Sequence, residues 1–130
     1  MTVQHRASMR SHVSALAPLE ACGLLAGKAG RVEAVLPVTN QACSPTRFIM
    51  EPVEQLKAFE WIEDHGLELL GVYHSHPAGP EGMSATDRAE AAYDVVHVIW
   101  SRPRGVWKPR AYRLLNGQAR EVQLELRDGE

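Results

Sequence analysis

Residues 67–93 read LELLGVYHSHPAGPEGMSATDRAEAAY, and the succession of residue types in this stretch sets the fold class. Leu67–Tyr73 is a short, nearly continuous apolar run, the pattern of a strand buried on both faces. His74 follows directly. Side chains alternate along a strand, so His74 and His76 project to one side and Ser75 to the other. Pro77 ends the strand, AGPEGM is a polar loop, and residues 84–93 predict a helix that begins at Ser84. A second apolar run, VVHVIWS at 95–101, predicts another buried strand.

The pattern continues outward from this centre. Pro52 is placed as a first-turn proline, Val53, Leu56, Phe59 and Ile62 form one apolar arc, and Gly66 is a stop signal, which together predict a helix over 52–65. Residues 3–16 contain no Gly or Pro, and Val3, Ala7, Met9, Val13 and Leu16 recur at loosely helical spacing up to the break at Pro18. CGLLAG (22–27) and RVEAVLPV (31–38), joined by a glycine-bearing turn, predict a β-hairpin. TNQACSPT (39–46) is a loop, and RFIM (47–50) predicts one more short strand. VWKPRAYRLL (106–115) and AREVQLEL (119–126), around Asn116-Gly117-Gln118, predict two strands at a sheet edge. The expected class is α/β: a single domain over 1–130 with a mixed β-sheet flanked by helices.

Composition narrows the function. The 130 residues are 45% hydrophobic and 23% charged, with a net charge of −2, so a general nucleic-acid partner is not expected. No apolar run approaches the roughly 20 residues of a membrane span, and MTVQHRASMRSH lacks a signal-peptide block, so no membrane partner and a cytoplasmic location are expected. Cys22 and Cys43 have no metal-motif spacing and are expected to be reduced, with Cys22 packed in the core. His97 is expected to be a satisfied sheet residue, and His5, His12 and His65 to lie on the surface. The basic run holding Arg102, Arg104, Lys108, Arg110 and Arg113 reads as a solvated edge. The oligomeric state, a homodimer included, is left open by the sequence.

The chemistry concentrates between His74 and Asp87. Two imidazoles on one face of a strand end can meet a zinc ion at about 2.0–2.1 Å each, and an aspartate in the first turn of the following helix can supply a third ligand. Three ligands of type His, His and carboxylate leave a position for water, the arrangement of catalytic zinc. A plainer reading competes: Ser84-Ala-Thr-Asp87 fits a capping box, and on those four residues alone the cap is the better account. The cap leaves HSHP unexplained beside a wholly apolar strand, which favours the metal. A zinc-activated water needs a base, and Glu20, Glu33, Glu51, Glu54, Glu60, Glu63 and Glu81 are all available by spacing. Glu20 is distinguished only by the apolar ACGLLAG that follows it.

HSHP, six residues and then SATD resembles the HxHPx(6)SxxD signature of the JAMM metalloproteases, the MPN-plus domains, and LEACGLLAG resembles their glutamate-bearing segment. The likeness spans nearly the whole chain in element order and is nearest the compact prokaryotic Mec-like members. The resemblance implies a cytidine-deaminase-like fold, one zinc ion held by His74, His76 and Asp87, Glu20 as general acid/base, and Ser84 as a donor to the oxyanion. It further implies hydrolysis after the C-terminal Gly-Gly of a ubiquitin-like or sulfur-carrier protein, with residues 39–50 forming the substrate groove. A non-catalytic MPN-type scaffold and a metallohydrolase of small amides are the alternatives.

Overall fold

A capping box starts the first helix: Thr2 Oγ1 accepts from the His5 amide at 3.2 Å, and His5 Nδ1 accepts from the Thr2 amide at 3.1 Å. The helix, α1 (Val3–Leu16), buries Met9 and Val13, one turn apart on a single face. The computed structural model describes residues 1–126. After α1 the chain forms β1 (Cys22–Lys28), β2 (Arg31–Val38), α2 (Pro52–Asp64), β3 (Glu68–His76), α3 (Ala85–Glu90), β4 (Val96–Ser101), β5 (Lys108–Leu115) and β6 (Gln118–Val122). The six strands make one mixed sheet in the order β2-β1-β3-β4-β5-β6. Only β3 and β4 pair in parallel, and α3 lies in the crossover between them. No helix among the described residues is long and apolar enough to cross a membrane.

Alternation along the strands supplies two cores. On one face, Leu25, Tyr73, Val98 and Trp100 pack with Met9 and Val13 of α1. On the other, Cys22, Leu24 and Val72 pack with Met50 and with Ala58 and Phe59 of α2. β3 is buried from Gly71 to His76, whereas Glu68 is exposed and Leu67, Leu69 and Leu70 are half-buried, so burial is displaced toward the C-terminal end from the apolar run 67–73 that predicts it.

Three local expectations change, and one apolar helix face is buried only in part. RFIM is not a strand: only Met50 bridges, to Asn40, and the amide of Ile49 and the carbonyl of Arg47 are bonded by the Asn40 side chain, which displaces a strand ladder. The apolar arc of α2 is only half used. Ile62 is buried and Phe59 partly so, whereas Val53 and Leu56 are 57% and 58% exposed. The helix expected over 84–93 stops at Glu90, because Tyr93 turns toward α2, where its ring meets Phe59 edge-on and its hydroxyl accepts from Gln55 Nε2 at 2.7 Å. The last strand ends at Val122 rather than 126. Beyond it Leu124 packs onto the core, and the carbonyl of Glu125 accepts from the N-terminal ammonium.

Gly23 shows how closely β1 and β3 approach. A Cβ at this position meets the ring of Tyr73, the residue opposite it in the ladder. That ring is fully buried and its hydroxyl is bonded to His12 Nδ1 at 2.7 Å, so it has little room to yield. Gly23→Ala is therefore expected to destabilise the chain by about 1–3 kcal/mol through overpacking. Equilibrium denaturation checks this, and an unchanged midpoint refutes it.

Candidate metal centre

The pairing of β1 with β3 builds the site. Cys22 lies opposite His74 in an antiparallel register, so the residues just before β1 meet the C-terminal end of β3. Ser75, on the face opposite the histidines, accepts from the Ala21 amide at 2.8 Å through Oγ, and its own amide donates to the Ala21 carbonyl at 3.0 Å. This places Glu20 beside the two imidazoles. One ligand atom from each of Glu20, His74 and His76 lies within 4.8 Å of the others, and all three side chains are buried.

Asp87 arrives from α3. Its Oδ2 stands 3.2 Å from His74 Nε2 and 2.9 Å from His76 Nε2, and the two Nε2 atoms are 3.0 Å apart. The same Oδ2 accepts from the Ser84 amide at 2.9 Å while Ser84 Oγ accepts from the Asp87 amide at 3.0 Å. The capping box is present, and its acidic member also faces the histidines. The cap and the proximity of Asp87 to the histidines thus coexist in SATD.

The donor set suits a metal ion. Atoms held 2.0–2.1 Å from a tetrahedral centre stand roughly 3.3 Å from one another, close to the 2.9–3.2 Å gaps between the imidazole nitrogens and Asp87 Oδ2. A carbonyl can only accept, so the 2.8 Å contact from Pro80 to His76 Nδ1 puts a proton on that nitrogen and turns the Nε2 lone pair inward. His74 is gripped differently: its ring stacks on Phe48 at 4.5 Å, and its buried Nδ1 has no partner among the described residues. Glu20 Oε1 is likewise buried and unpartnered.

Burial and neighbouring charges act against one another in the cluster. Burial lowers the His74 pKa despite the neighbouring Asp87. For His76 burial acts downward too, but the bonds with Asp87 and the Pro80 carbonyl outweigh it and the net shift is upward. Burial alone would raise Asp87, yet its bonds to the two histidines hold it well below the usual carboxylate range. Glu20 is pushed up to about 7, chiefly by burial, with attraction from His76 opposing and repulsion from Asp87 adding.

The remaining candidate bases sit elsewhere. Glu51 caps α2, Glu54 accepts from the Thr39 amide, and Glu33, Glu60, Glu63 and Glu81 are exposed. Both cysteines are free thiols, Cys22 buried and Cys43 exposed. Two histidines depart from expectation: Nε2 of buried His97 has no partner, and half-buried His12 is bonded to Tyr73 rather than lying free on the surface. On the basic edge, Arg110 makes a two-pronged pair with Glu121, and Arg102 lies over Trp107 while donating to the Pro77 carbonyl. Sequence reasoning passed over Ser75 and Asn40, whose only signal was a small polar residue inside a buried strand and an asparagine opening a loop. A cavity of about 290 Å³ opens against His74 and Asp87, walled by Phe48, Met50, Gln55 and Tyr93 with His97 among its lining.

Residues 2–115 match the model of the prokaryotic homologs of the JAB domain, and the chain belongs to that family. It is 42% identical over 116 residues to a probable TtuB-protein conjugate cleaving protease of Thermus thermophilus, covering 88% of this chain and 74% of that protein. It is 35% identical over 123 residues to the CysO-cysteine peptidase of Mycobacterium tuberculosis, covering 92% and 84%. A protein of Desulfitobacterium hafniense solved in solution superposes with a TM-score of 0.86 at 32% identity, covering 98% of this chain and 92% of that one. Relatives named as peptidases, together with a buried Glu-His-His group, support a hydrolase.

A carboxyl whose pKa is higher in the folded chain than in the unfolded one favours folding in its protonated form. The contribution of Glu20 is therefore intact below its ordinary value of 4.5 and is lost as pH rises to about 7. In chelator-stripped protein, Glu20→Gln removes that loss. Its stability relative to the unsubstituted chain is expected to rise by roughly 1–3 kcal/mol between pH 4.5 and pH 8. Melting curves at several pH values test this, and a gap that does not change with pH refutes it.

Proposed function

We propose that this chain is a zinc metallopeptidase that hydrolyses the bond after the C-terminal Gly-Gly of a small ubiquitin-like or sulfur-carrier protein, with His74, His76 and Asp87 holding the metal. The observation that carries the reading is the buried, unpartnered carboxylate oxygen of Glu20 beside two converging imidazoles. A structural core has no use for such an arrangement. The TtuB-conjugate and CysO-cysteine relatives point to the kind of partner.

Zinc bound there supplies Lewis acidity, which brings hydroxide chemistry into range near neutral pH. Every other task falls to side chains of this chain. Glu20, buried beside the two imidazoles, accepts the proton of the attacking water and returns it to the leaving amine. Ser84 Oγ accepts from the Asp87 amide, which leaves the hydroxyl proton to be donated to the scissile carbonyl as it gains charge. Pro80 and Phe48 hold the two imidazoles in orientation. An extended tail without side chains at its last two residues fits beside the loop at 39–50, where Phe48 and Met50 wall the cavity.

Glu20→Ala is expected to keep about one zinc per chain and to lose at least roughly 100-fold in turnover. His74→Ala and Asp87→Ala are expected to lose the metal itself. Metal analysis of the purified variants separates the two classes, and a fully loaded Asp87→Ala removes Asp87 from the ligand set. For the reaction, intact mass spectrometry follows zinc-loaded protein with Gly-Gly-ending carriers extended by a C-terminal cysteine or short peptide. Loss of the extension from one carrier, absent with Glu20→Ala, supports the reading. Cleavage of short peptides alone favours a small-amide hydrolase, and no cleavage with zinc bound favours a binding scaffold.

A further inference from the structure

Glu20 lies outside the sheet. β1 begins two residues later, and among the described contacts the peptide groups of Glu20 are bonded only to the loop between β2 and α2. Its amide donates to the Ser44 carbonyl at 2.9 Å, and its carbonyl accepts from Asn40 Nδ2 at 3.0 Å. Asn40 is 6% exposed. Its Nδ2 also donates to the Arg47 carbonyl, and its Oδ1 accepts from the Ala42 and Ile49 amides, each at 3.0 Å. A carboxamide can donate twice and accept twice, so every bond this side chain can make is made. A fully satisfied buried network of this kind fixes one arrangement.

Asn40 therefore joins two functional pieces. The span it pins, 41–49, carries Phe48, which stacks on His74 and walls the cavity. Its other bond reaches the peptide of the residue whose Oε1 nothing else holds. We infer that Asn40 is a positioning residue that ties the proton-transferring Glu20 to the loop walling the substrate cavity, so that one carboxamide sets both the aim of the base and the wall of the groove. The inference rests on the peptidase reading for its consequence in turnover, and on the hydrogen bonds alone for its consequence in structure.

Asn40→Asp separates the donating half of the network from the accepting half. It keeps an acceptor for the Ala42 and Ile49 amides and replaces the donor to Glu20 and Arg47 with an oxygen. Asn40→Ala removes both halves. With zinc content unchanged in each, Asn40→Asp is expected to lower kcat by about 10- to 100-fold, because small misplacements of a catalytic group cost that much, with a smaller rise in KM from the lost Arg47 bond. Asn40→Ala is expected to raise KM further. Amide hydrogen exchange on the unsubstituted protein gives an arm that needs neither activity nor a variant: the Glu20 amide is expected to open together with that of Ile49, and more readily than the amides of β1. A zinc-loaded Asn40→Asp with unchanged kcat overturns the inference, as does a Glu20 amide that exchanges with β1. If the unsubstituted protein cleaves no carrier, the peptidase reading fails, and the exchange pattern still decides the tether.

Discussion

The central strand β3 has to satisfy two demands at once, and most of the architecture follows from how it does so. Along most of its length it is a buried member of a sheet, flanked by β1 on one side and β4 on the other, and its apolar residues feed both cores. At its C-terminal end the same strict alternation puts His74 and His76 on the α2 side and Ser75 on the α1 side. Because β1 pairs against this end, Ser75 can bind Ala21 on one face while Glu20 reaches the imidazoles on the other. A slip of one residue in register would turn the histidines into the α1 core and remove the site altogether.

The electrostatics of the cluster show why a cation belongs in it. Two imidazole nitrogens and a carboxylate oxygen crowd within 3.2 Å of one another, and a second carboxylate waits nearby. Burial and these close contacts shift the groups in opposite directions, His74 and Asp87 down, His76 and Glu20 up. Such divergence among neighbouring groups is characteristic of functional sites. The partners outside the cluster, Pro80 on His76 and Phe48 on His74, hold the rings where a shared ligand is the simplest remaining resolution.

Much of this was legible because it rests on local rules. The period-2 placement of His74 and His76, the buried run before them and the capping box at Ser84 each follow from a few adjacent residues. The helix α1 and the hairpin of β1 and β2 were legible for the same reason. The misreadings came where a distant partner overrode local preference. Arg47 to Met50 has strand composition, yet the side chain of Asn40 takes the Arg47 carbonyl and the Ile49 amide, and only one isolated bridge forms at Met50. Tyr93 leaves its helix for Gln55 and Phe59, contacts that no neighbouring residue announces. The apolar arc of α2 was read correctly as a helical periodicity, but periodicity does not say how deeply each member packs: Ile62 is buried and Phe59 partly so, while Val53 and Leu56 stay exposed. Spacing alone left seven carboxylates in contention for the base, and only the pairing of β1 with β3 sets Glu20 apart.

The double duty of Asp87 ties the cluster to the shortest α-helix among the described residues. α3 is six residues long with no buried residue, too short to persist on its intrinsic propensity, and its first turn is closed by the same oxygen that faces the histidines. Whatever occupies the cluster thus shares in ordering α3, and whatever loosens α3 weakens the grip on the ion. In thermodynamic terms the helix-coil equilibrium of one turn and the ion-binding equilibrium are linked, each drawing on the free energy of the other. Warming and ion depletion would then act on the same few residues, and the catalytic end of the molecule could fray while the six-stranded sheet beneath it stays intact.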